Sequence, residues 1–347
     1  MSREKLLTDN QKRQLREKYE ESRRYYEKLV DETLYTLNTV IEQKGLKVHS
    51  ISPRATKVKT FESFCDKINR KRIREDHFEK IDDIAGVRVI CLYRSDLDVI
   101  GKLIKESFKI IREDTSRTRT DAPFGYASDH YIVALSDKCK GSRYDDIKHL
   151  PCEIQIRTIL MDAWASVSHH LDYKQEIDIP AKLRRDFSAL AGLFYVADTH
   201  FHLFREGVEK ARSRLMRSAE TGVFNLDQKT NLDSITAYAK WKFPERTALQ
   251  PFGVSPSEMV KRIVQDGYEN LRQLDMTIGP AVEFLRDLEK RIWGAKKMLW
   301  NSLVAVDVCL DIVDEAHFEK YNSEQAGEEV AKCIEEIRRK MKEAKDI

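Results

Sequence analysis

The chain has 347 residues, with 61 lysines and arginines against 58 aspartates and glutamates, a formal net charge of +3. This near balance excludes a nucleic-acid partner held by net charge alone, and a hydrophobic share of 41% excludes a disordered chain. Six cysteines, at 65, 91, 139, 152, 309 and 333, form no CxxC pair and no zinc spacing with histidine, so reduced thiols and a cytoplasmic protein are expected.

The N-terminus, "MSREKLLTDNQKRQLREKYEE", has no apolar h-region, and no apolar run is long enough to span a bilayer, so no membrane partner is expected. From about Thr8 to Gln43, Leu15, Tyr19, Tyr26, Leu29, Val30, Leu37, Val40 and Ile41 recur at helical spacing, and Gly45 fits a C-terminal stop. "KTFESFCDKINRKRI" reads as a second helix with Phe61, Phe64 and Ile68 on its apolar side. A buried strand is expected from about Val87 to Tyr93, a helix from about Asp98 to Ser107, and a short strand from about Phe108 to Ile111. "HYIVALS" and "PCEIQIRT" are two more strands, and "ILMDAWASVSHHLDYK" closes the unit as a helix with Met161, Trp164, Ala165 and Leu171 inward. Beyond about Pro180 the strand signals stop, and the remainder reads as helices with Ser255 as an N-cap. The expected fold is α+β, a mixed sheet flanked by helices with an all-α C-terminal extension.

The strand "CEIQIRT" sends Cys152, Ile154 and Ile156 to one face and Glu153, Gln155 and Arg157 to the other. Alone, that alternation also fits a sheet that wets one face. Three more groups lie nearby in sequence. Lys57, Lys59, Thr60, Ser63 and Lys67 set cations and hydroxyls at a helix start, where free backbone N–H groups favour anions. Asp83 stands at the mouth of a strand, before Gly86 and Arg88. In "FGYASDHY", Tyr126, Ser128 and His130 share a side if extended, an arrangement suited to stacking on a flat base. Two carboxylates from separate strands can hold a magnesium ion while the cations neutralise phosphate, which is equipment for phosphoryl or nucleotidyl transfer. No GxxxxGK[ST] loop, kinase HRD or DFG set, or Ser-His-Asp signature supports another chemistry.

Taken in order, "KVKTFES", "DIAGVRV", "FGYASDHY", "CEIQIRT" and "WASVSHHLDYK" resemble the synthetase domain of RelA/SpoT proteins, the GTP pyrophosphokinases that make the alarmone (p)ppGpp. The resemblance implies a nucleotidyltransferase-like sheet that moves the βγ-pyrophosphate of ATP to the 3′-hydroxyl of GDP or GTP. It implies Asp83 and Glu153 as Mg²⁺ ligands, with Glu153 also helping to deprotonate the acceptor. It implies Lys57, Lys59, Ser63 and Lys67 on the ATP side, Arg88 against adenine, Tyr126 on the acceptor base, and Ser128, His130, Gln155, Arg157 and His169 around the acceptor. The chain departs from the family's usual pattern at Lys57, where arginine is usual, and at Asp121 to Phe124, where a basic residue and asparagine often precede the Gly-Tyr pair.

The domain division expected is an N-terminal helix over 1–45, the synthetase-like domain over 46–200 and helices over 201–347. No His-Asp dipeptide occurs, so a short, single-activity synthetase is expected, with a protein partner on the C-terminal helices. Two rivals stand beside it. One keeps the chemistry but takes tRNA or an adenosine nucleotide as acceptor, a reading that Phe124 and the basic runs "NRKRIR" and "KARSRLMR" allow, although a charge run is usually a solvated face. The other is a catalytically inactive binding module.

Overall fold

A capping box at Thr8 and Gln11 starts the first helix, α1 (Asp9–Gln43), whose apolar stripe of Tyr19, Tyr26, Leu29, Val30, Leu37 and Ile41 is buried. A computed structural model describes residues 7–74, 77–115, 128–170, 181–246, 255–294, 298–321 and 327–345. After α1 come β1 (Val48–Val58), α2 (Phe61–Lys71), β2 (Ala85–Cys91), α3 (Arg94–Ser107), β3 (Phe108–Asp114), β4 (Asp129–Leu135), β5 (Cys152–Thr158) and α4 (Ile159–His170). Among the described residues the strands form one mixed sheet of order β1-β2-β5-β4-β3, in which β2 and β5 run parallel and the other neighbours antiparallel.

Sequence reading misses β1. Its Pro53 and alternating polar residues argue against a strand, but β1 lies at the sheet edge, where a missing N–H is tolerated. The register between β1 and β2 shifts between Pro53 and Val58, so residues 54–57 bulge away from the ladder. The alternation in β5 is present, but its polar face is not wet. All seven residues are buried, and Glu153, Gln155 and Arg157 are each no more than 7% exposed.

The chain divides into two units, Met1–Arg205 and Glu206–Ile347, with the boundary inside α5 (Ala181–Thr221). The N-terminal helix shares the core of the first unit: Tyr19, Leu29 and Leu37 belong to one buried cluster with Phe64, Ile84, Val87 and Ile154. In that unit α5 is tied down by Asp198, which accepts a 2.8 Å hydrogen bond from Thr158, and by Arg205, 2.6 Å from Asp96. Trp164 packs on Phe187 and Phe194.

The second unit contains α6 (Leu232–Lys242), α7 (Pro256–Gln265), α8 (Leu271–Ile278), α9 (Val282–Trp293), α10 (Ser302–Val313), α11 (Glu315–Tyr321) and α12 (Gly327–Lys345) around its own buried cluster. The Ser255 side chain caps α7. No helix among the described residues is long and apolar enough to cross a membrane.

In this unit His317 is fully buried between carboxylates, Nδ1 2.7 Å from Asp266 and Nε2 3.2 Å from Asp307, with Asp311, Lys320 and Tyr321 around the same cluster. Burial opposes protonation, but hydrogen bonds to Asp307 and Asp266 override it and raise the imidazole above its ordinary value. A raised folded-state value contributes stability that is fully present below the unfolded value, near pH 6.5, and lost as pH rises through the folded one. The melting temperature of this unit should therefore fall as the pH rises above about 6.5 in the wild type and lose that slope in His317→Gln. Parallel slopes in the two proteins would remove His317 as the cause.

Candidate active site

The cleft begins where α2 meets β2. Ile81 and Ile84 are buried on either side of Asp82 and Asp83, which fixes the turn that carries Asp83. The Lys59 N–H donates to Ile84 O at 2.8 Å, tying the start of α2 to that turn. Thr60 caps α2, and the helix buries Phe61, Phe64, Cys65 and Ile68. That burial leaves Ser63 and Lys67, one turn apart, on the opposite face. Lys67 Nζ lies 2.7 Å from Asp83 Oδ1 and Lys59 Nζ 3.1 Å from Asp83 Oδ2.

The second carboxylate comes from β5. Glu153 pairs with Gly86 in the parallel register and with Ile132 across β4, while Gln155 pairs with Arg88 and His130. Gln155 Nε2 donates to Glu153 Oε2 at 2.9 Å, His130 Nδ1 is 3.1 Å from Glu153 Oε1, and Arg157 donates to Gln155 Oε1 at 2.6 Å. Arg88 and Arg157 both reach Asp162 in the first turn of α4, at 3.1 and 3.2 Å. A cleft of about 660 Å³ is lined by Lys59, Ser63, Gly86, Arg88, Gln155 and Arg157, with Arg54 and Thr56 from the bulge of β1.

The electrostatics follow from these contacts. Burial alone would raise Asp83, but Lys67, with Lys59 and Arg54, pulls it down to about 2. Glu153 is likewise held below its ordinary value, since His130 and Arg54 outweigh its burial. Burial lowers Lys59 against the pull of Asp83, and burial beside Arg88 brings Arg157 down to about 10. Both carboxylates are ionised at neutral pH and are the residues that could hold a divalent cation.

The cleft thus gathers Asp83, Glu153, Lys59, Ser63, Lys67, Arg88, His130, Gln155 and Arg157. Lys57 does not line the cleft but pairs at 2.6 Å with Asp31 on α1. Ser128 is half-buried just before β4. Tyr126, Leu171 and the side chain of His169 lie outside the described residues. Sequence reasoning misses Arg54 and Asp162. Arg54 hydrogen-bonds Glu153 and donates to Asp83 O at 3.1 Å, across 99 and 29 residues of chain, a reach that no local pattern signals.

Fold and cleft together define a mixed-sheet α+β domain that sets a ring of cations around two buried carboxylates. The region found in RelA/SpoT proteins matches residues 56–178. GTP pyrophosphokinase YwaC of Bacillus subtilis (strain 168) is 32% identical over 175 residues, covering 48% of this chain and 81% of that protein. GTP pyrophosphokinase YjbM of the same strain is 27% identical over 163 residues, covering 46% and 75%. Of solved structures, small alarmone synthetase 1 from Bacillus subtilis bound to its product pppGpp aligns at 24% identity with a TM-score of 0.46, over 56% of this chain and 99% of that one. The chain belongs to the RelA/SpoT family.

Proposed function

We propose that the cleft moves the βγ-pyrophosphate of ATP to the 3′-hydroxyl of GDP or GTP, making (p)ppGpp. The observation that carries this reading is the convergence of Asp83 and Glu153 on one guanidinium, with Lys59 and Lys67 beside them. Phosphoryl chemistry spreads negative charge over several oxygens, so positioning and neutralisation supply most of the rate. The names of YwaC and YjbM, both GTP pyrophosphokinases, support the reaction class.

The carboxylate pair fits Mg²⁺. Both are hard oxygen donors within reach of the same cation, and among the described residues no third acidic, His or Cys ligand completes a metal site with them. This suits an ion that takes its remaining ligands from phosphate and water. When bound, Mg²⁺ supplies neutralisation of the phosphate charge. Lys59, Lys67, Ser63 and the free N–H groups at the start of α2 hold the donor phosphates, and Arg88 faces adenine. Glu153 accepts the acceptor's hydroxyl proton while His130 and Gln155 fix its carboxylate. Arg157, with Ser128, Tyr126 and His169, serves the acceptor.

Labelled ATP supplied with GDP, GTP, ATP or tRNA tests this reading, and label in a guanosine tetra- or pentaphosphate is expected. Label confined to tRNA or to an adenosine product would move the acceptor, and no labelled product with any of them would reduce the domain to a binding module. Tyr126→Ala should cost about 1–3 kcal/mol of GDP or GTP affinity, the scale of stacking on a nucleobase, and leave ATP affinity unchanged. That loss should depend only weakly on salt, whereas a tRNA acceptor would bind with a steep salt dependence through counterion release. Unchanged guanine-nucleotide affinity in Tyr126→Ala would sink the stacking role.

A further inference from the structure

Arg54 occupies the space between the two carboxylates. Its guanidinium hydrogen-bonds Glu153 Oε2, donates to Asp83 O at 3.1 Å and lies 3.6 Å from Asp83 Oδ2. Its side chain is 22% exposed, within the cleft that it lines. Gly86 is what lets it lie there. A Cβ at Gly86 would stand 3.2 Å from Arg54 Nε, 3.4 Å from its Cβ and 3.5 Å from its Cζ. The Pro53–Val58 bulge brings the arginine over that glycine, and Gly86 is the register partner of Glu153. Sheet irregularity and missing side chain therefore serve one placement, a planar cation laid over the start of β2, between the two acids.

The surroundings make this occupancy a competition. Lys59 and Lys67 already contact Asp83, and His130 contacts Glu153. A dication entering alone must displace Arg54 and face these other donors, whereas one arriving with a polyphosphate brings anions to them.

We propose that Arg54 is a positioning residue that holds Asp83 and Glu153 in register and competes with the divalent cation for them, so that the pair accepts metal with nucleotide in preference to metal alone. The inference rests on reading Asp83 and Glu153 as the metal-holding pair. While Arg54 is in place, it also occupies a lone pair of Glu153 Oε2.

The test titrates Mn²⁺ alone, without nucleotide, into the full chain and follows free Mn²⁺ by electron paramagnetic resonance. Arg54→Gln should bind Mn²⁺ roughly tenfold more tightly than wild type, the size of one close charge coupling. Gly86→Ala, which crowds the arginine without removing it, should shift affinity the same way by less. A purely structural role would weaken binding in both variants. Adding Asp83→Asn to Arg54→Gln should abolish the gain. Wild-type or weaker Mn²⁺ affinity in Arg54→Gln and Gly86→Ala, with Asp83→Asn still weakening binding, overturns the role of Arg54 and leaves the metal pair standing. Indifference of Mn²⁺ binding to Asp83→Asn overturns the metal pair and the inference together.

Discussion

Glu153→Gln and Asp83→Asn should each lower turnover by roughly 10²-fold or more, the scale of losing a positioned base or a charge-stabilising group. Both substitutions keep side-chain volume. Glu153→Gln removes the proposed base and one of the two anions that Arg54 holds. Asp83→Asn leaves Lys59 and Lys67 facing a neutral amide, so a lower melting temperature accompanies the loss of activity. The two effects separate experimentally, because ATP binding to the lysines should survive in Glu153→Gln. Wild-type turnover in either variant would remove the carboxylate pair from the chemistry.

The second large effect lies outside the cleft. Arg246 is almost fully buried against Glu289, with a second contact at 3.1 Å, and donates to Trp300 O, also at 3.1 Å. Glu289 in turn accepts the Trp300 N–H at 2.9 Å, which ties α9 to the approach of α10. Arg246→Met should destabilise the second unit by about 3–5 kcal/mol, because it strands a buried carboxylate. Arg246→Met combined with Glu289→Leu should recover much of that loss, since the charge is then absent. Denaturant midpoints report both, and a single-variant change under about 1 kcal/mol would mean that Glu289 finds another partner.

The parts of this chain that read correctly from sequence are those whose signal is local. The helical stripe of α1, the Ser255 cap and the period-2 pattern of β5 each need only neighbouring residues. β1 escapes such a reading because Pro53 argues against a central strand, and the edge position that excuses it appears only once the sheet is assembled. The same bulge explains Lys57, whose inward or outward direction depends on where the ladder slips. Arg54 is invisible to it because its partners lie far away in sequence and its room comes from a glycine on another strand. Asp162 reads as an ordinary acid in a first helical turn, and only the fold brings Arg88 to it. In the second unit, helical spacing alone does not mark where Gly294, at φ +56°, ends α9 or where Asn301 caps α10.

Under the proposed reaction this cleft transfers pyrophosphate as a unit, so the nucleotide left behind by the donor distinguishes it from transfer of a single phosphate. With γ-labelled ATP and GDP, AMP should form in step with a labelled guanosine tetraphosphate, and neither product should rise above background in Glu153→Gln. ADP as the donor's product, with a single labelled phosphate on the acceptor or free in solution, would contradict it.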